Sequence, residues 1–297
     1  MMLETASTGI ARRATRLRRD QIVSEYDRNG YLIIPDLLDS ALLTTARAEA
    51  VAICRGDRGK IDGVTRAEEK EDDTSALRRY LCIHFPHKIS SLMRDIARLP
   101  AEALTDVIGP NVKMMQSMLF IKSEGKPGQA WHQDETHIST RDRSLTAVWI
   151  ALDNATIENG CLWVIPGSHL AGVLYPDREQ EDPRFDCTRE AYGFHYRERD
   201  ATPVELSAGD AVVFDGYLLH RSLPNTGLDG MRRALVNHYM SAESLLPWFP
   251  PAAREPMATT DHRDVLLVAG EDPYAFKGTA DLMRPHVRPD GQGGCIR

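Results

Sequence analysis

A histidine and an aspartate two places apart, His132 and Asp134, are the residues of this sequence with the clearest chemical potential. On extended backbone successive side chains point to opposite faces, so residues i and i+2 project to the same face. Two ligands placed in this way can occupy neighbouring positions on one metal ion. A histidine from a distant strand would complete a triad of two imidazoles and one carboxylate, which leaves positions on the metal for small molecules.

The candidate for the third ligand is His220. It ends the segment AVVFDGYLLH, which follows a Gly-Asp turn and precedes the turn at Pro224 and Asn225. We interpret this segment as one continuous strand with the histidine at its end. A histidine and an aspartate in this spacing are weak evidence alone, because a single histidine is more often structural.

An arginine downstream of this strand strengthens the interpretation. Arg232 opens the segment RRALVNHYM, and a guanidinium can bind a carboxylate through two parallel hydrogen bonds. It would thereby hold a small dicarboxylate whose other end binds the metal. Strand alternation places Arg232 and Arg233 on opposite faces. We expect Arg232 to point inward, with Arg233 as the fallback.

The elements that must position these residues change in character along the chain. Residues 20–108 read as mainly helical, with a short strand at Tyr31–Ile34 and a helical stretch from about Ile89 to Val107. Beyond Gly109, short β-type runs separated by turns are typical of an antiparallel sandwich or barrel. These runs are Lys113–Lys122, Leu145–Leu152, Cys161–Ile165, Val204–Leu206, Ala211–Phe214 and Arg233–Met240.

Two long polar segments, 55–76 and 175–203, have no periodicity. Loops of this kind commonly carry binding residues on a rigid scaffold. We expect both to border the open side of the metal site and to contact the substrate.

Composition favours small-molecule chemistry. The chain has 297 residues, 42% of them hydrophobic and 27% charged, which is ordinary for a soluble globular protein. A net charge of −7 argues against binding to nucleic acid or to a membrane surface. No apolar run approaches the roughly 18 residues of a membrane span. We therefore expect a small-molecule substrate and neither of those partners, and the oligomeric state stays open.

Five scattered cysteines without a CxxC pair indicate neither a disulfide framework nor a zinc site. This pattern favours a reducing, intracellular compartment, and we expect the protein to be cytoplasmic. The arginines near the N-terminus faintly resemble an organellar transit peptide, although we interpret them as a solvated face: Arg12, Arg13, Arg16, Arg18 and Arg19.

The sequence resembles the phytanoyl-CoA dioxygenase family over roughly Asp20 to Ser241. The matching stretches are DRNGYLIIPDLL, MLFIK, WHQD, AVWIALDNATIENGCLWVIPGSH, LSAGDAVVFDGYLLHRSLPN and RRAL. The block from Ala147 to His169 is the most specific and resembles the branch called phytanoyl-CoA dioxygenase domain-containing proteins. The resemblance implies a mainly β fold with flanking helices, built on a double-stranded β-helix (jelly-roll, cupin-like) core behind an α-helical N-terminal part. It also implies iron(II), 2-oxoglutarate as cosubstrate, and dioxygen (O2).

We accordingly expect one domain over residues 1–297. Its parts would be an N-terminal extension (1–19), a mainly helical support (20–108), a jelly-roll core (109–241) with an insert (175–203), and a C-terminal extension (242–297).

Matched by motif, His132, Asp134 and His220 correspond to the family's iron ligands. Arg232 corresponds to the arginine that binds the far carboxylate of 2-oxoglutarate. The spacing from His220 to Arg232 is one residue longer than usual in the family, and we place the extra residue in the following turn. Four further residues fall where the family contacts the cosubstrate: Lys122, Gln133, Trp149 and Ser222.

The reaction implied by the resemblance is hydroxylation of a C–H bond, with release of succinate and carbon dioxide. An intact Asp134 favours this outcome, because related halogenating sites carry a small residue there. Desaturation, cyclisation or epimerisation at the same site stay open. The rivals are a non-catalytic jelly-roll module that binds a metal or ligand, and a cupin-type oxygenase that uses no 2-oxoglutarate.

Other polar residues near these motifs receive weaker assignments. His137 and Arg141 follow the metal pair and are candidates for contact with the primary substrate, with a solvent-facing position as the alternative. Trp149 suits a buried core as well as a cosubstrate wall. We interpret His169 and His238 as structural.

Overall fold

Two antiparallel sheets form the frame of the protein in the computed structural model, which describes residues 19–244, 265–278 and 283–288. The strands are β1 (Tyr31–Ile34), β2 (Cys82–His84), β3 (Val112–Lys122), β4 (Gln129–His132), β5 (Thr146–Ala151), β6 (Leu162–Val164), β7 (Asp177–Arg178), β8 (Glu190–Ala191), β9 (Thr202–Val204), β10 (Ala211–Asp215), β11 (His220–Ser222), β12 (Arg232–Ser241), β13 (Leu266–Ala269) and β14 (His286–Arg288).

The large sheet has the order β1-β10-β5-β12-β3-β2-β14, and β13 also pairs with β3. The small sheet has the order β4-β11-β6-β9, and β7 pairs with β8 in a separate ribbon. Pairing within both main sheets is antiparallel throughout the described strands. This arrangement is the jelly-roll that the family resemblance implies, so the expected fold class is confirmed.

Helices cover the outer face of the large sheet. They are α1 (19–29 within the described chain), α2 (Ser40–Cys54), α3 (Asp73–Arg78), α4 (Ser91–Ile96) and α5 (Ala101–Val107), whereas the short α6 (Asp134–His137) follows β4 of the small sheet. The stretch expected to be helical from Ile89 to Val107 is split, because Pro100 lacks a backbone N–H and stands at the start of α5. In the described residues no helix has the length and apolar character needed to cross a membrane.

Alternation along the strands of the large sheet separates two cores. In β5, Val148 and Ile150 pack outward with the helices. Trp149 packs inward, with Val236 of β12, against the small sheet. Because side chains alternate between faces with a period of two, this pattern determines which residues of β5 and β12 face the interior between the sheets.

The chain crosses from the large sheet to the small one immediately before His220. The expectation of one continuous strand from Ala211 to His220 is wrong: β10 ends at Asp215, and His220 begins β11 in the other sheet. Tyr217 N donates to Asp215 Oδ1 at 2.7 Å, which closes a tight turn. A Cβ atom on the intervening Gly216 would lie 2.8 Å from the side chain of Leu145, so the crossing requires glycine there.

Strands outside residues 109–241 complete the large sheet. β1 and β2 come from the part expected to be mainly helical, and β13 and β14 come from the C-terminal part. β9 ends at Val204, where the sequence pattern predicted a strand to begin. Residues 109–241, the core expected from the sequence, therefore contain the strands that carry the candidate ligands but only part of the large sheet.

Candidate active site

The three candidate ligands come together at one end of the small sheet. His132, the last residue of β4, pairs with His220, the first residue of β11, and their ring centroids lie 4.1 Å apart. The Nε2 atoms of His132 and His220 lie 3.7 Å and 3.5 Å from Asp134 Oδ1. One ligand atom from each residue lies within 4.8 Å of the others, and all three residues are buried. Atoms grouped in this way can surround a single divalent ion.

The local backbone orients the two histidines and Asp134 so that their potential ligand atoms face one another. Gln133 is extended (φ −126°, ψ 128°), so His132 and Asp134 project to the same side before α6 begins. His132 Nδ1 lies 2.7 Å from the carbonyl oxygen of Ala130, and His220 Nδ1 lies 2.9 Å from that of Leu218. A ring that donates from Nδ1 to a carbonyl carries its lone pair on Nε2, which is the atom that faces Asp134 in both histidines.

Electrostatics inside the cavity favour the ligand forms of two of these groups. Burial, followed by the charge of His220, lowers the pKa of His132 to about 3, so its imidazole is neutral at physiological pH. Burial alone would raise the pKa of Asp134, but His220 and His238 outweigh that effect and hold it well below its usual range. Burial opposes the charged form of His220, yet Asp134 raises its pKa overall. A divalent cation would substitute for the proton that Asp134 attracts to His220.

Two buried cations face each other a short distance from this cluster. Arg232 pairs with Lys122 across β12 and β3, and both residues are buried. Lys122 Nζ donates to Ser222 Oγ at 2.9 Å and to the carbonyl oxygen of Leu223 at 2.7 Å. Arg232 Nη2 donates to the carbonyl oxygen of Gly160 at 2.8 Å. In the described chain neither cation forms a salt bridge with a carboxylate.

This pair of cations lacks an anion. Arg232 Nε is buried with no hydrogen-bond partner in the described structure, and the guanidinium lies 5.1 Å from the ring centroid of Trp149. Burial lowers the pKa of Arg232 to about 10. Burial and the neighbouring Arg232 hold the pKa of Lys122 well below its ordinary value. Buried charges need a partner, and a bound carboxylate would supply one to both residues.

Arg233 does not share this position. Its Nε and Nη2 atoms donate to both carboxylate oxygens of Asp153, at 2.7 Å and 2.8 Å. Arg232 is therefore the inward arginine, and the longer turn before β12 has not shifted the strand by one residue.

One cavity of about 460 Å³ connects the cation pair to the candidate metal ligands. Of the residues expected to contact cosubstrate or substrate, five line it: Lys122, Trp149, Ser222, Arg232 and His137. Burial lowers the pKa of His137. The apolar part of the wall includes Met118, Phe120, Phe214 and Val236.

Gln133 does not contact this cavity, and its expected role at the cosubstrate needs correction. Its Nε2 donates to the carbonyl oxygens of Val173 (3.1 Å) and Tyr217 (2.7 Å), and its Oε1 accepts from Tyr175 N (2.8 Å). The alternation that brings His132 and Asp134 together necessarily turns the residue between them away. Gln133 thus anchors the loop at residues 173–175.

Arg141 also lies away from the cavity lining. The chain leaves the mouth after α6, and Arg141 N donates to Ser244 Oγ at 3.0 Å. The expected contact of Arg141 with a substrate is therefore not supported by its position, because the turn after α6 carries it toward residue 244.

The mouth of the cavity is built differently from the expectation. Residues 186–189 of the expected insert line it, but no residue of the 55–76 segment does. Met283 and two residues of β14, His286 and Arg288, form another part of the wall. Arg288 Nη1 lies 3.2 Å from Asp186 Oδ2 and links that wall to the insert. The 55–76 segment supports β14 from behind, through a bridge between Asp62 and His286.

The rest of the insert packs outside the small sheet. Tyr175, Phe194 and Tyr196 join an apolar cluster with Trp131 and Trp163. The insert therefore has a structural part and a separate part that lines the cavity.

The cysteines show one feature that their scattered pattern did not predict. Cys54, Cys82 and Cys161 are buried free thiols. Cys187, which lines the cavity, is disulfide-bonded.

Two histidines and one carboxylate inside a jelly-roll, with positions open to small molecules, form the arrangement typical of non-haem iron oxygenases. The model of the phytanoyl-CoA dioxygenase family matches residues 26–234. This chain belongs to the phytanoyl-CoA dioxygenase family.

Relatives in several organisms carry the same family name. The chain is 38% identical over 132 residues to "Phytanoyl-CoA dioxygenase 1" of Oryza sativa subsp. japonica, which covers 44% of this chain and 45% of the relative. It is 35% identical over 147 residues to "Phytanoyl-CoA dioxygenase domain-containing protein 1" of Danio rerio, covering 47% and 48%. The matched segments thus span less than half the length of these two relatives.

Solved structures share the fold. The non-haem monooxygenase ThoJ superposes with a TM-score of 0.64 at 24% identity, covering 90% of this chain and 88% of that one. The 2-oxoglutarate-dependent epimerase SnoN superposes with a TM-score of 0.60 at 18% identity, covering 82% and 91%. At such identities the likeness establishes the jelly-roll alone.

Proposed function

We propose that this protein is an iron(II)- and 2-oxoglutarate-dependent oxygenase that hydroxylates a C–H bond of a small organic molecule. The observation that carries the proposal is the buried pair Arg232 and Lys122, which has no carboxylate partner in the described chain and opens into the cavity of the candidate ligands. A metal-binding module without catalysis has no need for such a pair. Membership of the family supports the same cosubstrate.

The donor set suits iron(II). Two neutral imidazole nitrogens, from His132 and His220, and one carboxylate oxygen, from Asp134, match the ligand types found in non-haem oxygenases. Iron(II) with 2-oxoglutarate supplies the activation of dioxygen and the oxidising power, with release of succinate and carbon dioxide.

The cation pair suits the far carboxylate of 2-oxoglutarate. Arg232 offers its unpartnered Nε, and Lys122 offers an ammonium held in place by Ser222 and by the carbonyl oxygen of Leu223. Trp149 packs against the guanidinium and limits its motion. These residues orient the cosubstrate, and orientation of reactants accounts for much of the acceleration at such sites.

The protein also has to keep the reacting region dry. Met118, Phe120 and Val236 line the cavity with apolar surface, which excludes water from the reaction. The substrate enters past His137, residues 186–189 and β14. Because 2-oxoglutarate shares the cavity of about 460 Å³, the part of the substrate that reaches the metal must be small.

Hydroxylation is the outcome we favour among the reactions available to such a site. The carboxylate of Asp134 is present, so this chain lacks the small residue that makes room for halide in related halogenating sites. Structural relatives described as an epimerase and a carbocyclase catalyse other reactions on the same fold.

The test measures 2-oxoglutarate turnover directly. We expect the full chain, loaded anaerobically with iron(II) and then exposed to dioxygen, to convert 2-oxoglutarate slowly to succinate without any substrate. Asp134→Ala should abolish this conversion. A metabolite library screened by thermal shift in the presence of metal and 2-oxoglutarate would then identify the substrate class. Iron binding without any succinate formation, with or without metabolites, would refute the proposal.

A further inference from the structure

His238 lies beside the candidate metal ligands on the strand that also carries Arg232. Both residues project to the inner face of β12, six positions apart. His238 is 3% exposed, and its Nε2 lies 3.1 Å from Asp134 Oδ2. The pairing of β12 with β3 shifts its register directly after His238. The extra residue is Met115 of β3, and β12 pairs with β5 in regular register through His238, so His238 keeps its place on the inner face.

The two oxygens of Asp134 have different partners. Oδ1 faces the Nε2 atoms of His132 and His220, at 3.7 Å and 3.5 Å. Oδ2 faces His238. The carboxylate therefore presents one oxygen to the other candidate ligands while the second oxygen is held on the opposite side.

This hydrogen bond requires a particular tautomer of His238. An ionised carboxylate only accepts hydrogen bonds, so the ring must donate from Nε2. His238 Nδ1 is then a buried nitrogen with no partner in the described structure. A buried unpaired polar atom is costly, so packing alone does not account for a histidine at this position.

We propose that His238 is a positioning residue, which holds Asp134 so that Oδ1 alone is offered to the metal. The inference rests on the proposed function, because it assigns the triad to a metal. With Oδ2 held by His238, the aspartate takes a single position on the ion. The remaining positions stay available to cosubstrate and dioxygen.

Two amide substitutions separate this role from packing. In His238→Gln the amide nitrogen stands three bonds from Cβ, as Nε2 does in histidine, so it can still donate to Asp134. In His238→Asn the amide nitrogen stands only two bonds from Cβ and falls short of Oδ2. Both are small neutral amides, and the far-ultraviolet circular dichroism of the metal-free proteins identifies folded samples.

The experiment titrates the metal-free full chain with cobalt(II), a spectroscopic substitute for iron(II), and follows visible absorption. We expect His238→Asn to bind about 10- to 100-fold more weakly and to give an altered ligand-field spectrum, the scale typical for lost partners of metal ligands. We expect His238→Gln to recover most of the affinity and the wild-type spectrum.

The outcomes distinguish a failure of the positioning role of His238 from a failure of the proposed function. Equal affinity and identical spectra in wild type and His238→Asn would overturn the positioning role, and so would equal losses in both variants. If wild type itself binds no cobalt(II), the proposed function has failed instead. If His238→Asn does not fold, His238→Leu takes its place in the same comparison with His238→Gln.

Discussion

Arg232 and Lys122 stand directly opposite each other on neighbouring antiparallel strands, and both are buried. Each would be more easily accommodated with an anion between them, since burial opposes both charges and the charge of Arg232 further opposes that of Lys122. The protein keeps the two cations in place through Gly160, Ser222 and the carbonyl oxygen of Leu223. A carboxylate that binds here would meet groups that are already in place, which would lower the cost of ordering them.

The adjacent arginines provide a matched test of this arrangement. We expect Arg232→Met to weaken 2-oxoglutarate binding by about 10- to 100-fold, corresponding to roughly 1.5–3 kcal/mol for hydrogen bonds to a charged group. Arg233→Met should leave this affinity unchanged, because Arg233 is paired with Asp153 on the other face. Anaerobic calorimetry with manganese(II) in place of iron measures both. A larger loss for Arg233→Met would mean that the assignment of the inward arginine is wrong.

The lowered pKa of Lys122 predicts a pH dependence of cosubstrate binding. In the free protein, burial and Arg232 favour the neutral amine, whereas a bound carboxylate favours the ammonium. Binding above the free protein's pKa therefore takes up a proton, and affinity falls as pH rises, by up to about tenfold per unit. Below that pKa the lysine is already charged in the free protein, so its contribution to the affinity does not change with pH.

Comparison with Lys122→Met isolates this contribution from other titrating groups. We expect the ratio of the wild-type and Lys122→Met dissociation constants to approach one as pH rises above the pKa of Lys122 in the free protein and towards its higher pKa in the complex. Isothermal titration with 2-oxoglutarate and manganese(II) across neutral and alkaline pH gives the ratio. A ratio that is constant with pH would show that Lys122 does not change protonation on binding.

Substitution of Gln133 should lower stability, whereas substitution of Ser222 should lower the affinity for 2-oxoglutarate. Gln133→Ala removes three hydrogen bonds to the backbone of Val173, Tyr175 and Tyr217. We expect it to reduce the free energy of unfolding by about 1–3 kcal/mol and to speed amide hydrogen exchange at residues 173–175, with little effect on 2-oxoglutarate affinity. Ser222→Ala should instead weaken that affinity. Loss of affinity without loss of stability in Gln133→Ala would return Gln133 to the cosubstrate site.

Local rules account for the parts of the site that sequence could predict. Alternation with a period of two brings His132 and Asp134 to one side and separates Arg232 from Arg233. The same rule turns Gln133 away from the cavity, so the geometry does not support the cosubstrate contact that the family motif suggested. His238 also obeys the rule, because it shares the face of Arg232, but nothing local reveals that Asp134 Oδ2 lies 3.1 Å away.

Long-range pairing accounts for most of what sequence could not predict. The crossing at Gly216 depends on a contact with Leu145, far away in the chain. The wall formed by β14 depends on its pairing with β2, about two hundred residues earlier. Neither pairing has a local signal in composition or periodicity, whereas the turns and alternating strands of the core do.

The mouth of the cavity should control which substrate binds, independently of metal and cosubstrate. Arg189, directly before β8, lines the cavity and pairs with Asp177 of β7. Arg178 of β7 pairs with Glu190 of β8 and lies outside the lining. Replacing the whole insert would expose Trp131 of β4 and Trp163 of β6, which lie on strands of the small sheet that carries two candidate metal ligands. Single substitutions are therefore the sharper test.

We expect Arg189→Ala to change the ranking of metabolites that stabilise the protein loaded with metal and 2-oxoglutarate. Succinate formation from 2-oxoglutarate alone should stay near the wild-type rate, because it needs only the metal, the cosubstrate and dioxygen. Arg178→Ala should change neither the ranking nor the rate, which controls for loss of an exposed arginine from the ribbon. If folded Arg189→Ala loses turnover of 2-oxoglutarate as completely as Asp134→Ala, Arg189 acts on the cosubstrate, and the division between mouth and metal site is wrong.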